Sequence, residues 1–129
     1  MPHTVDGDVL LLDVPASSGF LPVLRTATAG LATRLSFGID AIEDIRVAVD
    51  EAAGLLLHAT PDENTTLRCR FDVTSEDLVI SIGAAGAGEL PARHSFDWRV
   101  LDALAGSVTT DVTDGVTTVR LTQPRPTDK

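Results

Sequence analysis

Two adjacent carboxylates, Asp50 and Glu51, interrupt an apolar run from Val47 to Ala53. A carboxylate held at the mouth of an apolar pocket can accept a proton from an attacking hydroxyl, the work of a general base. The pair also reads as a solvated strip between two buried strips of a helix, and the spacing alone leaves both readings open. A second candidate is Gly83-Ala84-Ala85-Gly86-Ala87-Gly88. Such a stretch lets backbone N–H groups close on an anion, and it reads equally as a flexible connector. His3, His58 and His94 are scattered, with no carboxylate cluster at ligand spacing, which argues against a histidine metal site. Cys69 is the single cysteine, so an internal disulfide and a cysteine zinc cluster are excluded. No Gly-x-Ser-x-Gly elbow is present, so acyl transfer has no support. Trp98 reads as packing for a short helix rather than as a ligand contact.

The elements that must hold these residues follow from the hydrophobic period. Asp8 to Val14 is predicted as a strand ended by Pro15. Leu21, Leu24, Thr28, Leu31 and Leu35 recur at helical spacing and predict a helix near 18–35, with Ser17 or Ser18 as cap and Pro22 in the first turn. Asp40 is predicted to cap a second helix, with Glu43 completing a capping box. Its stripe of Ile42, Ile45, Val49, Ala52, Ala53 and Leu56 runs to about Ala59, and Thr60-Pro61 stops it. The period then changes to 2. Leu67, Cys69, Phe71 and Val73 alternate with polar residues, Ser75-Glu76-Asp77 turns, and Leu78 to Ile82 is the next strand. Gly83 to Arg93 has no period and is read as a loop. A short helix starting at Ser95 or Asp97 carries Phe96, Val100, Leu101 and Leu104. Val108 to Val112 and Val116 to Thr122 form a hairpin around Asp114-Gly115. Residues 123–129 read as a flexible tail. Strands in adjacent pairs predict an α+β fold, a two-layer α/β sandwich with a mostly antiparallel sheet and three helices on one face.

The 129 residues fit one domain spanning 1–129, and no linker divides them. Ten basic against 19 acidic residues give a net charge of −9, a field that repels phosphate backbones and argues against nucleic-acid binding. All basic residues but Lys129 are Arg, and no Gly-x-x-x-x-Gly-Lys-[Ser/Thr] occurs, which excludes a P-loop. No run approaches 18 apolar residues, so no membrane-spanning segment is expected. Met1 to Asp6 lacks the basic-then-apolar order of a secretion signal, and a cytoplasmic protein is expected.

Three segments carry a family resemblance. Asp44-Ile45-Arg46-Val47-Ala48-Val49-Asp50-Glu51-Ala52 resembles the N-box helix of the anti-sigma-factor serine kinases, which belong to the GHKL (Bergerat-fold) ATPases. Ala84-Ala85-Gly86-Ala87-Gly88 stands where that family carries Asp-x-Gly-x-Gly, its adenine-binding motif. Ser95 to Ala105 resembles the corresponding helix of actinobacterial anti-sigma factors of the general-stress and sporulation type. The resemblance implies the Bergerat fold and a protein that grips an RNA polymerase sigma factor. It implies a homodimer, relieved by an anti-anti-sigma partner with a STAS domain. It also implies ATP and magnesium as cofactors in those members that phosphorylate this partner, with Glu51 as general base and Gly86 and Gly88 toward the nucleotide. Arg25 falls at the family's distance before Glu51 and is the implied sigma-factor contact; a solvated helix arginine is the plain alternative.

The departures from the pattern are concerted. The magnesium-holding Asn of the family, four residues after the N-box Glu, is Leu55 here, and a hydrocarbon side chain is no magnesium ligand. The adenine-reading Asp is Ala84. The glycine-rich lid before the third helix is replaced by His94-Ser95-Phe96-Asp97-Trp98. Each lost charged hydrogen bond is worth about 1.5–3 kcal/mol, so nucleotide binding is expected to be weak or lost. The expectation is sequestration of a sigma factor without kinase activity; an active ATP-dependent protein serine kinase is the alternative.

Overall fold

The computed structural model describes residues 7–60, 64–87, 90, 96–104 and 106–126. The elements, in chain order, are β1 (Val9–Pro15), a single 3-10 turn (Ser18–Phe20), α1 (Leu21–Arg34), α2 (Ile39–Ala59), β2 (Thr66–Val73), β3 (Asp77–Ala85), α3 (Phe96–Leu104), β4 (Ser107–Thr113) and β5 (Val116–Pro124). The strands form one sheet in the order β1-β2-β3-β5-β4, antiparallel at every pairing. The sheet has one dry face. Leu67, Cys69, Phe71 and Val73 of β2 alternate inward with Leu78, Ile80, Ile82 and Ala84 of β3 and with Val119 and Leu121 of β5, and all are buried. The intervening Arg68, Arg70 and Arg120 stay exposed. A sheet patterned in this way needs a cover on one side only.

That cover is α2. Ile45, Ala48, Val49, Ala52, Ala53, Leu55 and Leu56 are buried, and the helix packs on β3 and β5. Helix α1 packs against α2 through Leu24, Thr28, Leu31 and Ala32. Thr28 is tolerated in the core because its hydroxyl donates to the Leu24 carbonyl at 2.8 Å. Helix α3 adds Trp98 and Leu101, both fully buried, on the other side of α2. The α+β two-layer sandwich expected from the alternating periods is the fold observed.

Four boundaries differ from the sequence expectation. The first predicted helix divides into the 3-10 turn and α1, and Pro22 occupies the first turn of α1. Gly38, in extended backbone, caps α2 in place of Asp40, and Glu43 makes no capping box. Glu43 instead accepts from Arg46 at 2.8 Å, one turn along the exposed side. Strand β3 runs on through Gly83, Ala84 and Ala85, which the sequence placed in a loop. Cross-strand pairing with Thr118, Thr117 and Val116 on β5 overrides the low strand preference of these small residues. The predicted tail begins too early, because Gln123 and Pro124 belong to β5 and the Arg125 N–H donates to the Glu76 carbonyl at 2.8 Å. The Asp114-Gly115 turn is as expected: φ of 52° and 78° are the values a two-residue type I′ hairpin requires.

Cys69 sits on the dry face of β2. Burial, with a smaller contribution from Asp13, pushes its thiol up to about 12. Two predictions follow from this core. Leu56→Ala should cost about 2–5 kcal/mol, read as a lower denaturation midpoint at unchanged m-value. The thiol's folded pKa lies above its unfolded value of about 9, so the native state holds the proton longer. Stability is then full below about pH 9 and falls as pH rises toward about 12; Cys69→Ala should flatten that alkaline decline in urea melts.

Candidate functional site

The middle of α2 is the chemical region of the chain. Val49, Ala52, Ala53 and Leu56 hold one side of the helix against the sheet. At 3.6 residues per turn that register leaves Asp50, Glu51, Gly54 and His58 on the boundary facing outward. With Leu55 they line a hollow of about 180 Å³. His58 belongs to the last turn, where its Nδ1–H donates to the Gly54 carbonyl at 2.9 Å. A carbonyl only accepts, so Nδ1 is the protonated ring nitrogen of this bond. His58 and Gly54 also line a neighbouring hollow of about 460 Å³, walled by Ser17, Ser18 and Leu21 at the entry to α1.

Arg25 bridges the two helices. Its Nε lies 3.2 Å from Asp50 Oδ1. Both atoms are sealed from solvent, yet their alignment does not meet hydrogen-bond geometry. The contact is a charge pair rather than a directed bond. The two side chains remain about two-fifths exposed, at 36% and 42%, so water screens the rest of each group. Glu51, the adjacent residue, is half-buried and has interactions of its own. The expected general base therefore stands next to an acid already engaged by arginine.

The other predicted positions fall as follows. Ala84 is buried on the helix-facing side of β3, paired with Leu67 and Thr117. Gly86 lies just beyond β3 with φ of 72°, and its N–H donates to the Gly115 carbonyl at 3.0 Å. That bond ties Gly86 to the β4–β5 hairpin and commits the N–H that an anion would use. Gly88 lies outside the described residues, as do His3, His94 and Ser95 of the sequence reading. Gly86 is not among the residues lining the hollow beside Glu51.

The residues around Glu51 are a poor match for ATP and magnesium. Leu55, at 5% exposure, presents hydrocarbon where a hard cation needs oxygen. Asp50 is held by Arg25. Ala84 has neither donor nor acceptor beyond its backbone. The hollow that Glu51 lines is below the roughly 300–1,000 Å³ usual for a small-molecule ligand, and Glu51 does not line the neighbouring hollow of about 460 Å³. Among the described residues no three His, Cys, Asp or Glu side chains converge as a metal-binding group. Two features escaped the sequence reading. The Arg25–Asp50 pair spans two helices and leaves no local pattern. His58 looked isolated because its neighbours Glu51 and Gly54 become adjacent only on the helix surface.

The architecture is a two-layer α/β sandwich with a five-stranded antiparallel sheet. It superimposes with a TM-score of 0.69 and 16% identity on the crystal structure of the RsbU and RsbW domains of Rv1364c from Mycobacterium tuberculosis, covering 92% of this chain and 33% of that one. At that identity the likeness speaks for the fold alone. The sequence goes further. The chain is 38% identical over 101 residues to the anti-sigma-F factor RsbW of Mycobacterium tuberculosis, a match taking in 77% of this chain and 59% of the relative. It is 33% identical over 85 residues to the serine-protein kinase RsbW of Halalkalibacterium halodurans, 66% of this chain and 49% of the relative. The serine-protein kinase RsbW of Bacillus subtilis matches at 30% over 83 residues, 63% of this chain and 52% of the relative. No family model matches the chain. The chain is a homologue of the RsbW-type anti-sigma factors and serine-protein kinases. Its matches span from 49% to 59% of the length of these relatives. Among the described residues no helix is long and apolar enough to cross a membrane.

The helix–helix charge pair makes a prediction. In a double-mutant cycle, Arg25→Ala and Asp50→Ala should show a coupling of about 0.2–1 kcal/mol, measured by urea denaturation. The coupling should shrink in 1 M salt, where the screening length falls to about 3 Å.

Proposed function

We propose that this chain acts as an anti-sigma factor that holds an RNA polymerase sigma factor away from the polymerase without using nucleotide. The reading is supported by the 38% identity to an anti-sigma-F factor RsbW. The observation that carries its second half is the buried Leu55 beside Glu51, where a nucleotide-bound magnesium would need an oxygen ligand. The protein functions as a homodimer in the cytoplasm, in a stress- or sporulation-type regulatory circuit. A STAS-domain anti-anti-sigma factor releases the sigma factor by competing for the same surface.

Arg25 contacts the sigma factor from α1. Asp50 attracts its Nε and so limits its rotamers before encounter, which reduces the entropy lost on binding. The terminal amino groups of Arg25 then serve an acidic side chain of the partner. The net charge of −9 accelerates encounter with basic polymerase- and DNA-binding surfaces of a sigma factor. Glu51 keeps the place of a general base but lacks the metal ligand that would set a phosphate in line with it.

The alternative activity, transfer of phosphate to the STAS partner, is the outcome that a direct test separates. In calorimetry with ATP and magnesium, the unmodified chain should show no binding in the micromolar range. Two lost charged contacts of about 1.5–3 kcal/mol each weaken affinity by two or more orders of magnitude. Leu55→Asn combined with Ala84→Asp should raise ATP affinity if the variant still melts cooperatively. The host's sigma factor should co-purify equally with and without ATP, and Arg25→Ala should reduce its retention. Micromolar ATP binding by the unmodified chain would overturn the nucleotide-free reading, and labelled phosphate on the STAS protein would establish the kinase instead.

A further inference from the structure

We propose that the free edge of β1 is a self-association seam, where a second copy of this chain adds its own β1 antiparallel and two sheets become one. The seam rests on the homodimer reading above and names the surface that makes it. Strand β1 ends the sheet, and among the described residues nothing pairs with its outer side. Edge strands of soluble proteins are usually blunted by charges, proline or bulges. The opposite edge, β4, is polar, with Ser107, Thr109, Thr110, Asp111 and Thr113 among its seven residues. Strand β1 instead presents Val9-Leu10-Leu11-Leu12 in unbroken register with β2. Val9, Leu10 and Leu11 are 46%, 44% and 73% exposed. Leu10 stands beside the buried Phe71 on the helix-facing side, so the apolar layer runs out to this edge and is only partly covered there.

The hydrogen-bond phase shows which residues are free to pair. At one end of the ladder the Ala16 N–H donates to the Thr65 carbonyl at 2.8 Å; at the other the Val73 N–H donates to the Asp8 carbonyl at 2.9 Å. The register between them is continuous. Hydrogen-bonded pairs alternate along an antiparallel ladder, so the even-numbered residues of β1 direct their main-chain groups to β2. Val9, Leu11 and Asp13 direct theirs outward, to the unpartnered side.

The strand is complementary to itself in one register. A two-fold axis normal to the sheet brings together only residues of the same face, so registers change in steps of two. With Leu10 opposite Leu10 of the second copy, Val9 of each copy faces Leu11 of the other, and all three exposed side chains gain apolar neighbours. These outward residues then form about four main-chain hydrogen bonds. A shift of two residues one way sets Val9 opposite Asp13; a shift the other way sets Leu11 opposite Gly7 and Leu10 opposite Asp8. Charge favours the same register. On the open face each row crossing the seam runs Arg70, Leu11, then Val9 and Asp72 of the second copy, with opposite signs at its two ends. The shift that sets Val9 opposite Asp13 would end one row in Arg70 of both copies. Each copy carries a net charge of −9, but the centre of this seam is neutral, and the screening length is about 8 Å at physiological salt.

Sedimentation equilibrium of the full chain at physiological salt should show monomer and dimer with a dissociation constant in the micromolar range, since a one-strand seam is smaller than a standard interface. Leu11→Asp sets an acid opposite Val9 and in the row of Asp72 of the second copy, and should weaken the dimer about tenfold or more. Val112→Asp, at a 69% exposed position on the other edge, should change it less than about twofold. Cysteine linkage reads the register. Under oxidised glutathione Leu10→Cys should give a disulfide-linked dimer on a non-reducing gel, because facing Cβ atoms stand about 4.5–5.5 Å apart. Leu11→Cys, offset by two residues at about 7–8 Å, and Val112→Cys should not link; the native Cys69 is buried. A dimer that Leu11→Asp leaves intact would keep the homodimer reading and overturn the seam. Linkage through Leu11→Cys or Val112→Cys in place of Leu10→Cys would do the same. No dimer below millimolar concentration would overturn both. A monomer that loses sigma-factor retention with Leu11→Asp would give this edge to that partner and overturn the seam. Should Leu11→Asp fail to melt cooperatively, the cysteine variants decide.

Discussion

A five-stranded sheet with one apolar face is unstable in water until that face is covered, and α2 is the cover on which every other element depends. Burying side chains such as Val49 and Leu56 contributes about 1.5–3 kcal/mol each. The helix therefore cannot rotate or slide by one residue without exposing several of them at once. Helices α1 and α3 then pack on its flanks rather than choosing their own sites on the sheet. Asp50, Glu51, Gly54 and His58 acquire their positions from the same constraint. They sit where they do because Val49, Ala52, Ala53 and Leu56 must point the other way.

This explains how a fold and its chemistry come apart. Leu55 keeps the packing that the helix requires and adds to the core, at 5% exposure. The same substitution removes the oxygen that a hard cation would need. Ala84 behaves alike on β3, where a small side chain fits between Leu67 and Thr117 but offers no polar atom. Both positions satisfy the sandwich, and neither side chain offers a polar atom. Stability therefore places no demand on the polar chemistry at either position.

Charge is distributed by the same logic. The uncovered sheet face has to be polar, and on this chain it carries arginines in a protein whose balance is −9. The same face carries Asp13, Asp72, Asp77 and Asp111 beside Arg68, Arg70 and Arg120, so acids and cations are interleaved on it.

Periodicity alone was enough to read the class of fold. The 3.6 pattern of Ile45, Val49, Ala52 and Leu56 and the 2.0 pattern of Leu67, Cys69, Phe71 and Val73 are local properties of the chain, and burial obeyed both. Asp114-Gly115 announced its turn because only a few residue pairs accept two positive φ values. The aliphatic Leu55 and Ala84 were legible for the same reason: residue type alone removes their chemistry. Tertiary structure decided the rest. Gly83 to Ala85 look like a loop by propensity and become a strand because β5 pairs with all three and β2 with Gly83 and Ala84. Gln123 and Pro124 look like a tail and are held by β3. Arg25 finds Asp50, and Arg70 falls into a row with Arg120, only when elements far apart in sequence are laid side by side. Contacts of that kind depend on register and distance between segments, quantities that a local pattern does not contain and that packing alone sets.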